Sequence, residues 1–546
     1  MKKNGFVEGA MIATLGIVIS RIIGLIYVIP FYSLIGNQGG ALYSYAYSIY
    51  AIFLSLSSNS IPIAISKLIS EYNSLGYYYT KEKVFKLGSK MIIIMSLIFF
   101  AILMIFAKEI AYLIIGDIKG GNTIEGVTSV VRVVATALLV VPFLSVMRGY
   151  IQGHKIMTPS SISNVIEQFV RVIVLLLGSY LALKVFNLSL ETGVGIAVFG
   201  ATVGAIAAYL YLISKINNNK DKLHRNEKMS ENEKSITSKD LMKKIIFYSL
   251  PFILIDLARS LSGMVDTMTI VKTLYNLGFD IQVAETALGS LSTWASKINM
   301  IVIAIVLGID ISLIPNLAGS FIKKDFEAVS KQINQSLRLI AYTTIPMAIG
   351  LSFLAQPVWV IFYGFDQVSI DLFRLYVFQT VTYSFFYILI DTVQTMNNTK
   401  VALGSLLVGF FAKLLLNVPL MYLCDYIGIS AYYGPIITNI IIQVSTILTI
   451  MYILKRTYNI HYNSTVKNMF KSIFGASIML LVLFTLSIIF KVDAMSRIDA
   501  LLQIFVYSIL GMIVYIPLTY KMGLFKEIFG TNSIKKILVK LKLRKE

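Results

Sequence analysis

The chain has 546 residues, of which 57% are hydrophobic and only 14% are charged, and its mean hydropathy is +0.77. Soluble domains carry about 25% charged residues, so this composition excludes an ordinary soluble enzyme. The single cysteine, Cys424, cannot form an internal disulfide. The three histidines (His154, His224 and His461) lack the spacing of a zinc site or a histidine-based catalytic centre.

Fourteen apolar stretches are long enough to cross a bilayer, which takes about 20 mostly apolar residues. They predict an all-α integral membrane protein with fourteen transmembrane helices, and they lack the alternating pattern of a transmembrane β-barrel. In chain order these spans cover residues 9–35, 41–66, 89–115, 127–147, 160–183, 193–214, 245–270, 296–319, 336–355, 371–396, 401–423, 433–454, 470–490 and 500–520.

Lysine and arginine residues predict the orientation of these spans, because cytoplasmic loops are enriched in them. With the N-terminus in the cytoplasm, most of the 48 lysines and arginines fall in cytoplasmic segments. We therefore expect a plasma-membrane protein with both termini in the cytoplasm, and the formal charge of +20 indicates topology rather than nucleic-acid binding. The basic residues that lie within spans are Arg21, Arg132, Arg171, Arg259, Lys297, Arg374 and Lys413.

The longest hydrophilic stretch, residues 215–244, predicts a flexible cytoplasmic linker. It separates an N-lobe of spans 1–6 (residues 1–214) from a C-lobe of spans 7–12 (residues 245–456). A further pair of spans follows in residues 457–520. The basic tail, residues 521–546, is expected to lie on anionic lipids at the cytoplasmic surface.

The two halves carry similar residues at matching positions, which indicates an internal duplication. The matching pairs are Gln152 with Gln394, Ser163 with Ser405 and Arg171 with Lys413, all at one sequence offset. Because six spans per copy preserve orientation, the duplication predicts two parallel six-helix lobes plus a C-terminal helix pair. In such proteins the substrate binds between the repeats, so Lys413 joins Arg171 as a candidate substrate-binding residue.

Ionisable residues inside spans are the main functional candidates, since each costs about 2.5–3.5 kcal/mol to insert and usually faces a cavity or a partner. Arg21 in span 1 is a candidate anion-binding residue, or else a structural partner for an acid such as Asp266. Glu167 and Arg171 share one face of span 5 at i, i+4. Either they neutralise each other, or Arg171 binds a phosphate and Glu167 is its resting partner.

Spans 7 and 8 contain the other candidates. Asp256 and Arg259 are spaced to pair on one helix, and Arg259 is also a candidate substrate ligand. Asp266 has no cation within one turn of its own helix, so it needs a partner elsewhere, a proton or a coupling ion. Lys297, at the outer end of span 8, either extends to the membrane interface or binds substrate.

A tyrosine stripe follows span 1, formed by Tyr43, Tyr45, Tyr47 and Tyr50. We interpret it as an interfacial aromatic belt and packing surface rather than a sugar platform. The sequence has no GxxxxGK[ST] phosphate loop, which argues against direct ATP drive. No cofactor or metal is expected, and transport would depend on Na⁺ or H⁺ coupling, the membrane potential or the substrate's own gradient.

Three segments carry a resemblance to a known family: Gly9–Gly36, Tyr43–Gly76 and Arg148–Val172. They resemble the polysaccharide-biosynthesis branch of the multidrug/oligosaccharidyl-lipid/polysaccharide (MOP) exporter superfamily. Within it, the sequence is similar to the MurJ-type lipid II flippases and their sporulation paralogue, stage V sporulation protein B. The resemblance covers essentially the whole chain.

The resemblance implies a transporter rather than an enzyme, with a central cationic cavity that alternates in access. The implied substrate is an undecaprenyl-diphosphate-linked saccharide, moved from the inner to the outer leaflet. By motif position, Arg21 matches the family's span-1 arginine and Lys297 falls near its basic residue of span 8. A second span-1 arginine of the proteobacterial branch is Tyr27 here, so some of the positive charge must come from other residues. The candidates are Arg171, Arg259 and Lys413.

Lipid II is the leading expected substrate, with cell-wall synthesis proteins as further candidate partners. A flippase for another lipid-linked glycan, such as a spore-cortex, capsule or teichuronic-type unit, is the first alternative. A cation-coupled drug exporter is less favoured, because it would need an acidic cavity. A non-transporting scaffold for wall synthesis is the remaining alternative, and it would tolerate neutralisation of every intramembrane arginine.

Overall fold

The computed structural model describes residues 16, 19, 20, 22–116, 118, 120–219, 223, 233, 236–489 and 494–529. Within these residues the chain is almost entirely helical and has no β-strand, which confirms the predicted all-α class. Arg21 and residues 530–546 of the basic tail lie outside the described residues.

The α-helices of the described residues are, in chain order, α1 Val28–Leu54, α2 Ser60–Ser74, α3 Tyr78–Ile105, α4 Ala107–Ile115, α5 Ile124–Ala135, α6 Val141–Gly153, α7 Thr158–Tyr180, α8 Leu190–Asn217, α9 Ser238–Asn276, α10 Ile281–Gly289, α11 Ala295–Ile322, α12 Phe326–Phe353, α13 Ala355–Tyr363, α14 Gln367–Thr395, α15 Thr399–Tyr426, α16 Gly434–Tyr458, α17 Asn463–Ile489, α18 Arg497–Lys521 and α19 Leu524–Phe529. Single π-helical turns continue α1, α7 and α10 at Ser55–Asn59, Leu181–Val185 and Ser290–Trp294.

Twelve helical segments of the described residues are long and apolar enough to cross a membrane. Predicted spans 1 and 2 fall in one of these segments, and predicted span 7, which lies in α9, is not among them, so the count of fourteen stays a prediction. Segment Val28–Ser74 is continuous across the predicted junction of spans 1 and 2 except for a kink at Gly36. Gly36 has a φ of +62°, a conformation that glycine adopts without the steric penalty of a side chain.

Several helices begin earlier than the apolar stretches suggest, because polar residues cap them. Thr123 accepts a hydrogen bond from the Gly126 amide at 3.0 Å and starts α5. Ser189, Thr237 and Ser496 cap α8, α9 and α18 in the same way. A capping side chain satisfies an amide that the first turn leaves without a partner, so the helix extends beyond its apolar part.

The chain divides into two compact units. Unit 1 comprises Met1–Lys297 and Phe410–Tyr422, and unit 2 comprises Ile298–Gly409 and Leu423–Glu546. Helix α9, which begins within the predicted linker, therefore belongs to unit 1, as does the middle of α15. These units are defined by packing and the predicted lobes by the sequence repeat, so the lobe boundaries stay predictions.

Unit 1 contains a close helix pair formed by α7 and α8. Gly200 and Gly204 of α8 face the α7 backbone, where an added Cβ would lie 2.9 Å from the Arg171 carbonyl and 2.5 Å from the Glu167 carbonyl. Small residues at i, i+4 allow two membrane helices to approach closely. The glycines therefore fix the position of the α7 turn that carries Glu167 and Arg171.

The described part of the predicted linker contacts the beginning of α3. The Lys81 ammonium donates to the Leu223 carbonyl at 2.9 Å, and the Thr80 amide donates to Glu233 at 2.7 Å. Lys81 is only 2% exposed, so this lysine is buried at the start of a helix.

In unit 2, α12 packs against α14 and α17, and α18 packs against α13 and α17. The Tyr515 hydroxyl of α18 donates to the Tyr342 carbonyl of α12 at 3.0 Å. Lys471 of α17 and Glu527 of α19 form an ion pair at 2.9 Å. The last two long helices are thus packed into this unit through polar as well as apolar contacts.

Candidate functional site

Arg171 of α7 is held by two tyrosines of α1. Its Nη2 donates to the Tyr43 hydroxyl at 3.2 Å and to the Tyr47 hydroxyl at 3.3 Å. The guanidinium carbon lies 5.5 Å from the centre of the Tyr47 ring, within the range of a cation–π interaction. The two tyrosine rings stack with their centres 5.4 Å apart. The guanidinium is thus held by the phenol groups of two tyrosines.

Glu167, one turn before Arg171, has a different partner. Its carboxylate accepts a hydrogen bond from Nη2 of Arg148 at 2.8 Å, and Nε of Arg148 donates to Ser163 at 2.8 Å. The predicted pairing of Glu167 with Arg171 is therefore wrong, both as mutual neutralisation and as a resting state. The physical reason is that Arg148 of α6 lies beside the start of α7 and its planar fork bridges two α7 side chains.

The charge of Arg171 is consequently not neutralised by a carboxylate within the described residues. A phenol oxygen accepts a hydrogen bond but carries no charge at neutral pH. The tyrosines therefore satisfy two guanidinium N–H groups and leave the positive charge in place. This arrangement suits a side chain that binds an anion.

Lys297 at the start of α11 belongs to the same region of unit 1. Its ammonium lies 5.7 Å from the centre of the Tyr27 ring, and its side chain is half-buried. Phe31 contacts Tyr27 at a ring-centre distance of 6.0 Å and Tyr43 at 5.8 Å. These aromatic rings connect the two cations, and we name Arg171, Lys297, Tyr27, Tyr43 and Tyr47 the tyrosine–cation cluster.

Asp266 has its cationic partner on another helix, which was one of the expected alternatives. The Lys413 ammonium of α15 lies 2.6 Å from Asp266 Oδ2. The Asn417 amide donates to Asp266 Oδ1 at 3.3 Å and to the Thr269 hydroxyl at 2.7 Å. Lys413 and Asp266 are 3% and 18% exposed. Because its charge is already compensated, Lys413 is a weaker candidate for an anion ligand than Arg171.

For the remaining candidates, Asp256, Arg259 and Arg21, the structure tests the predicted roles only in part. Asp256 accepts a hydrogen bond from the Ser60 hydroxyl of α2 at 3.3 Å, and Arg259 is half-buried on the same helix, α9. The pairing of Asp256 with Arg259 stays a prediction. Arg21 lies outside the described residues, so its role also stays a prediction.

Among the described residues, no group of three or more His, Cys, Asp or Glu side chains is arranged to hold a metal ion.

Sequence reasoning missed Arg148 and the two tyrosine hydroxyls. The apolar stretch of span 4 ends at residue 147, so hydropathy places Arg148 in the following cytoplasmic segment. Helix α6 in fact continues to Gly153 and keeps Arg148 next to α7. The tyrosine stripe was visible, but an aromatic residue in a membrane protein is more often part of an interface or a packing surface.

A helical fold with many helices apolar enough to cross a membrane defines a polytopic membrane protein. Comparison with known proteins identifies its family: the polysaccharide biosynthesis protein family model matches residues 6–321, and the chain belongs to this family. It is 31% identical over 533 residues to the lipid II flippase MurJ of Bacillus subtilis (strain 168), covering 96% of both chains. It is 24% identical over 419 residues to stage V sporulation protein B of the same organism, covering 76% of this chain and 77% of that protein.

Solved structures show the same fold. A lipid II flippase MurJ structure in an inward closed conformation matches with a TM-score of 0.69 at 14% identity, covering 94% of this chain and 99% of that chain. An inward-facing multidrug resistance MATE family transporter of the MOP superfamily matches with a TM-score of 0.63 at 13% identity, covering 82% and 99%. The family match and the identity to MurJ confirm the expected polysaccharide-biosynthesis family, and the chain is a transporter rather than an enzyme.

Proposed function

We propose that the chain is a flippase for lipid-linked glycans, and that it moves the undecaprenyl-diphosphate-linked peptidoglycan precursor lipid II from the inner to the outer leaflet by alternating access. The observation that carries this proposal is the uncompensated guanidinium of Arg171 on two neutral phenols. Its support in sequence is the 31% identity to the lipid II flippase MurJ.

The chemistry of the substrate explains why such a site is needed. A diphosphate cannot enter a hydrocarbon core without partners, because burying an unpaired charge costs many kcal/mol. Guanidinium and ammonium groups replace part of its hydration, and arginine matches phosphate geometry well. The half-buried Arg171 and Lys297 supply such groups. The lipid tail stays in the membrane while the headgroup crosses.

A second candidate is a flippase for another lipid-linked glycan, such as a spore-cortex precursor. The 24% identity to stage V sporulation protein B favours it. Both candidates require the same diphosphate-binding chemistry and differ in the saccharide. In either case we propose that both termini are cytoplasmic, and that an ion gradient or the membrane potential drives transport.

The test is depletion of the protein in its own host, followed by addition of an external enzyme that cleaves lipid II. We expect the cleavable fraction to fall, and to be restored by the wild-type chain but not by Arg171→Ala. Arg132→Ala is the matched control, because Arg132 is also within a predicted span but its side chain is exposed.

Two outcomes would contradict the proposal. An unchanged cleavable fraction, in a host whose other flippases are deleted, would reject lipid II as the substrate and favour the second glycan. Full restoration by Arg171→Ala, with normal membrane insertion, would reject the tyrosine–cation cluster as the binding site.

A further inference from the structure

The tyrosine stripe is divided by the structure into packing residues and one accessible residue. Tyr45 and Tyr50 are 1% and 2% exposed, and Tyr43 is 6% exposed. Tyr47 is half-buried, so part of the residue remains accessible. Of the four tyrosines in the stripe, Tyr47 is therefore the one most accessible to a ligand.

The direction of the hydrogen bonds at Arg171 leaves the phenol protons unused. A guanidinium has only N–H donors, so the oxygens of Tyr43 and Tyr47 are the acceptors. Each phenol still carries its own O–H donor. No described residue accepts a hydrogen bond from either hydroxyl. Two O–H donors therefore lie beside an uncompensated guanidinium.

The electrostatic surroundings determine which ligand suits these donors. Tyr47 is hydrogen-bonded to Arg171, and Lys297 is the second cation of the tyrosine–cation cluster. Glu167 lies one turn before Arg171, but its carboxylate is bound to Arg148. A cation would be repelled by the two positive groups, whereas phosphate oxygens accept hydrogen bonds and carry negative charge. The ligand expected here is a phosphate group.

We infer that Tyr47 donates its hydroxyl proton directly to a phosphate oxygen of the transported headgroup, while Tyr43 is the positioning residue that holds Arg171 against it. This inference rests on the proposed function and adds a neutral donor to the cationic ligands. Tyr47 is assigned the direct contact because it is the more accessible of the two tyrosines. Tyr43 is buried and stacks against it.

A phenol has a specific advantage at this position. It accepts a hydrogen bond from the guanidinium without neutralising it, and it donates one to the phosphate without adding charge. A carboxylate would compete with the phosphate for Arg171, and a lysine would repel the guanidinium. The tyrosine therefore strengthens binding of the anion without making its release depend on separating another ion pair.

The first experiment is a binding titration of inorganic pyrophosphate with the full-length purified protein in lipid nanodiscs. Tyr47→Phe keeps the ring over Arg171 and removes only the hydroxyl. We expect it to weaken pyrophosphate binding by about tenfold, as for loss of one hydrogen bond to a charged group. Tyr45→Phe is the matched control, because its buried hydroxyl on the same helix has no partner in the described residues. It should bind as the wild type does.

The outcomes of these titrations distinguish this inference from the proposed function. If Arg171→Ala abolishes binding and Tyr47→Phe leaves it unchanged, the inference is overturned and the proposed site stands. If neither variant changes binding, both are overturned. Equal losses in Tyr47→Phe and Tyr45→Phe would mean a general loss of packing and would also overturn the inference.

A second measurement distinguishes a donor from a mere support for Arg171. Site-specific Tyr47→3-fluorotyrosine makes the hydroxyl a stronger donor and a weaker acceptor, because fluorine withdraws electron density from the ring. Donation to phosphate predicts tighter pyrophosphate binding, measured below the pH at which the fluorinated phenol ionises. Weaker binding would show that Tyr47 acts only as an acceptor for Arg171, and would overturn the inference.

Discussion

Removal of the Lys413 ammonium tests whether its ion pair with Asp266 stabilises the packing of α15 within unit 1. Lys413 Nζ lies 2.6 Å from Asp266 Oδ2, and the two side chains are 3% and 18% exposed. The substitution Lys413→Met keeps most of the side-chain volume and removes the charge. It leaves the Asp266 carboxylate without its cation in a largely buried position.

The expected magnitude follows from the burial of the pair. Breaking a buried ion pair by removing one partner costs about 3–5 kcal/mol. Asp266 keeps its hydrogen bond from Asn417 at 3.3 Å and remains partly exposed. We therefore expect the lower end of that range, about 3 kcal/mol of unfolding free energy.

The double variant is the sharper test. Asp266→Asn alone leaves an almost fully buried ammonium without a carboxylate, so it should also destabilise the protein. Asp266→Asn combined with Lys413→Met removes both charges. It should recover about 2 kcal/mol or more relative to the sum of the single variants, since residues in direct contact are not additive.

The assay is reversible unfolding of the purified full-length protein in detergent, followed by helical circular dichroism. Lys400→Met is the matched control, because Lys400 lies on the same helix and is exposed. It should change stability by less than about 0.5 kcal/mol. A double variant as unstable as the sum of the two single variants would refute the ion pair as a stabilising contact.

Two further predictions concern unit 1. Glu167→Gln removes the charged partner of Arg148 and should cost about 1–3 kcal/mol of stability; pyrophosphate affinity should stay within about twofold, because Arg171 does not depend on Glu167. A large loss of pyrophosphate affinity in a titration would contradict this assignment. Gly40→Ala would place a Cβ against the fully buried indole of Trp294 and should lower stability by about 1–3 kcal/mol. The control Gly263→Ala meets nothing within 4 Å, so equal thermal shifts in the two variants would disprove the close approach.

The helical membrane class could be predicted because its cause is local. Each span needs a run of apolar residues matched to bilayer thickness, and this run is visible in the sequence. The sequence also predicts that Asp266 needs a partner from another helix, a proton or a coupling ion, since no cation lies within one turn of it on its own helix. That the partner would be Lys413 required the structure, because 147 residues separate the two.

The arrangement at Arg171 shows that spacing along one helix is insufficient to predict the partners of its side chains. Positions i and i+4 put Glu167 and Arg171 on one helix face, but a neighbouring helix supplies each with a different partner. Hydropathy alone places Arg148 in a loop, since a charged residue ends an apolar stretch even where the helix continues. Hydropathy reports the membrane boundary and not the end of hydrogen bonding along a helix.

The amino-acid sequence by itself determined the apolar spans, the distribution of cations along them and the resemblance to a transporter family. The reason is that insertion free energy is approximately a sum over residues of one segment. Only the tertiary structure decided which cations are neutralised and which are held by phenols. That choice depends on how closely helices approach, which Gly200 and Gly204 set for α7, and on side-chain directions that spacing along one helix does not contain.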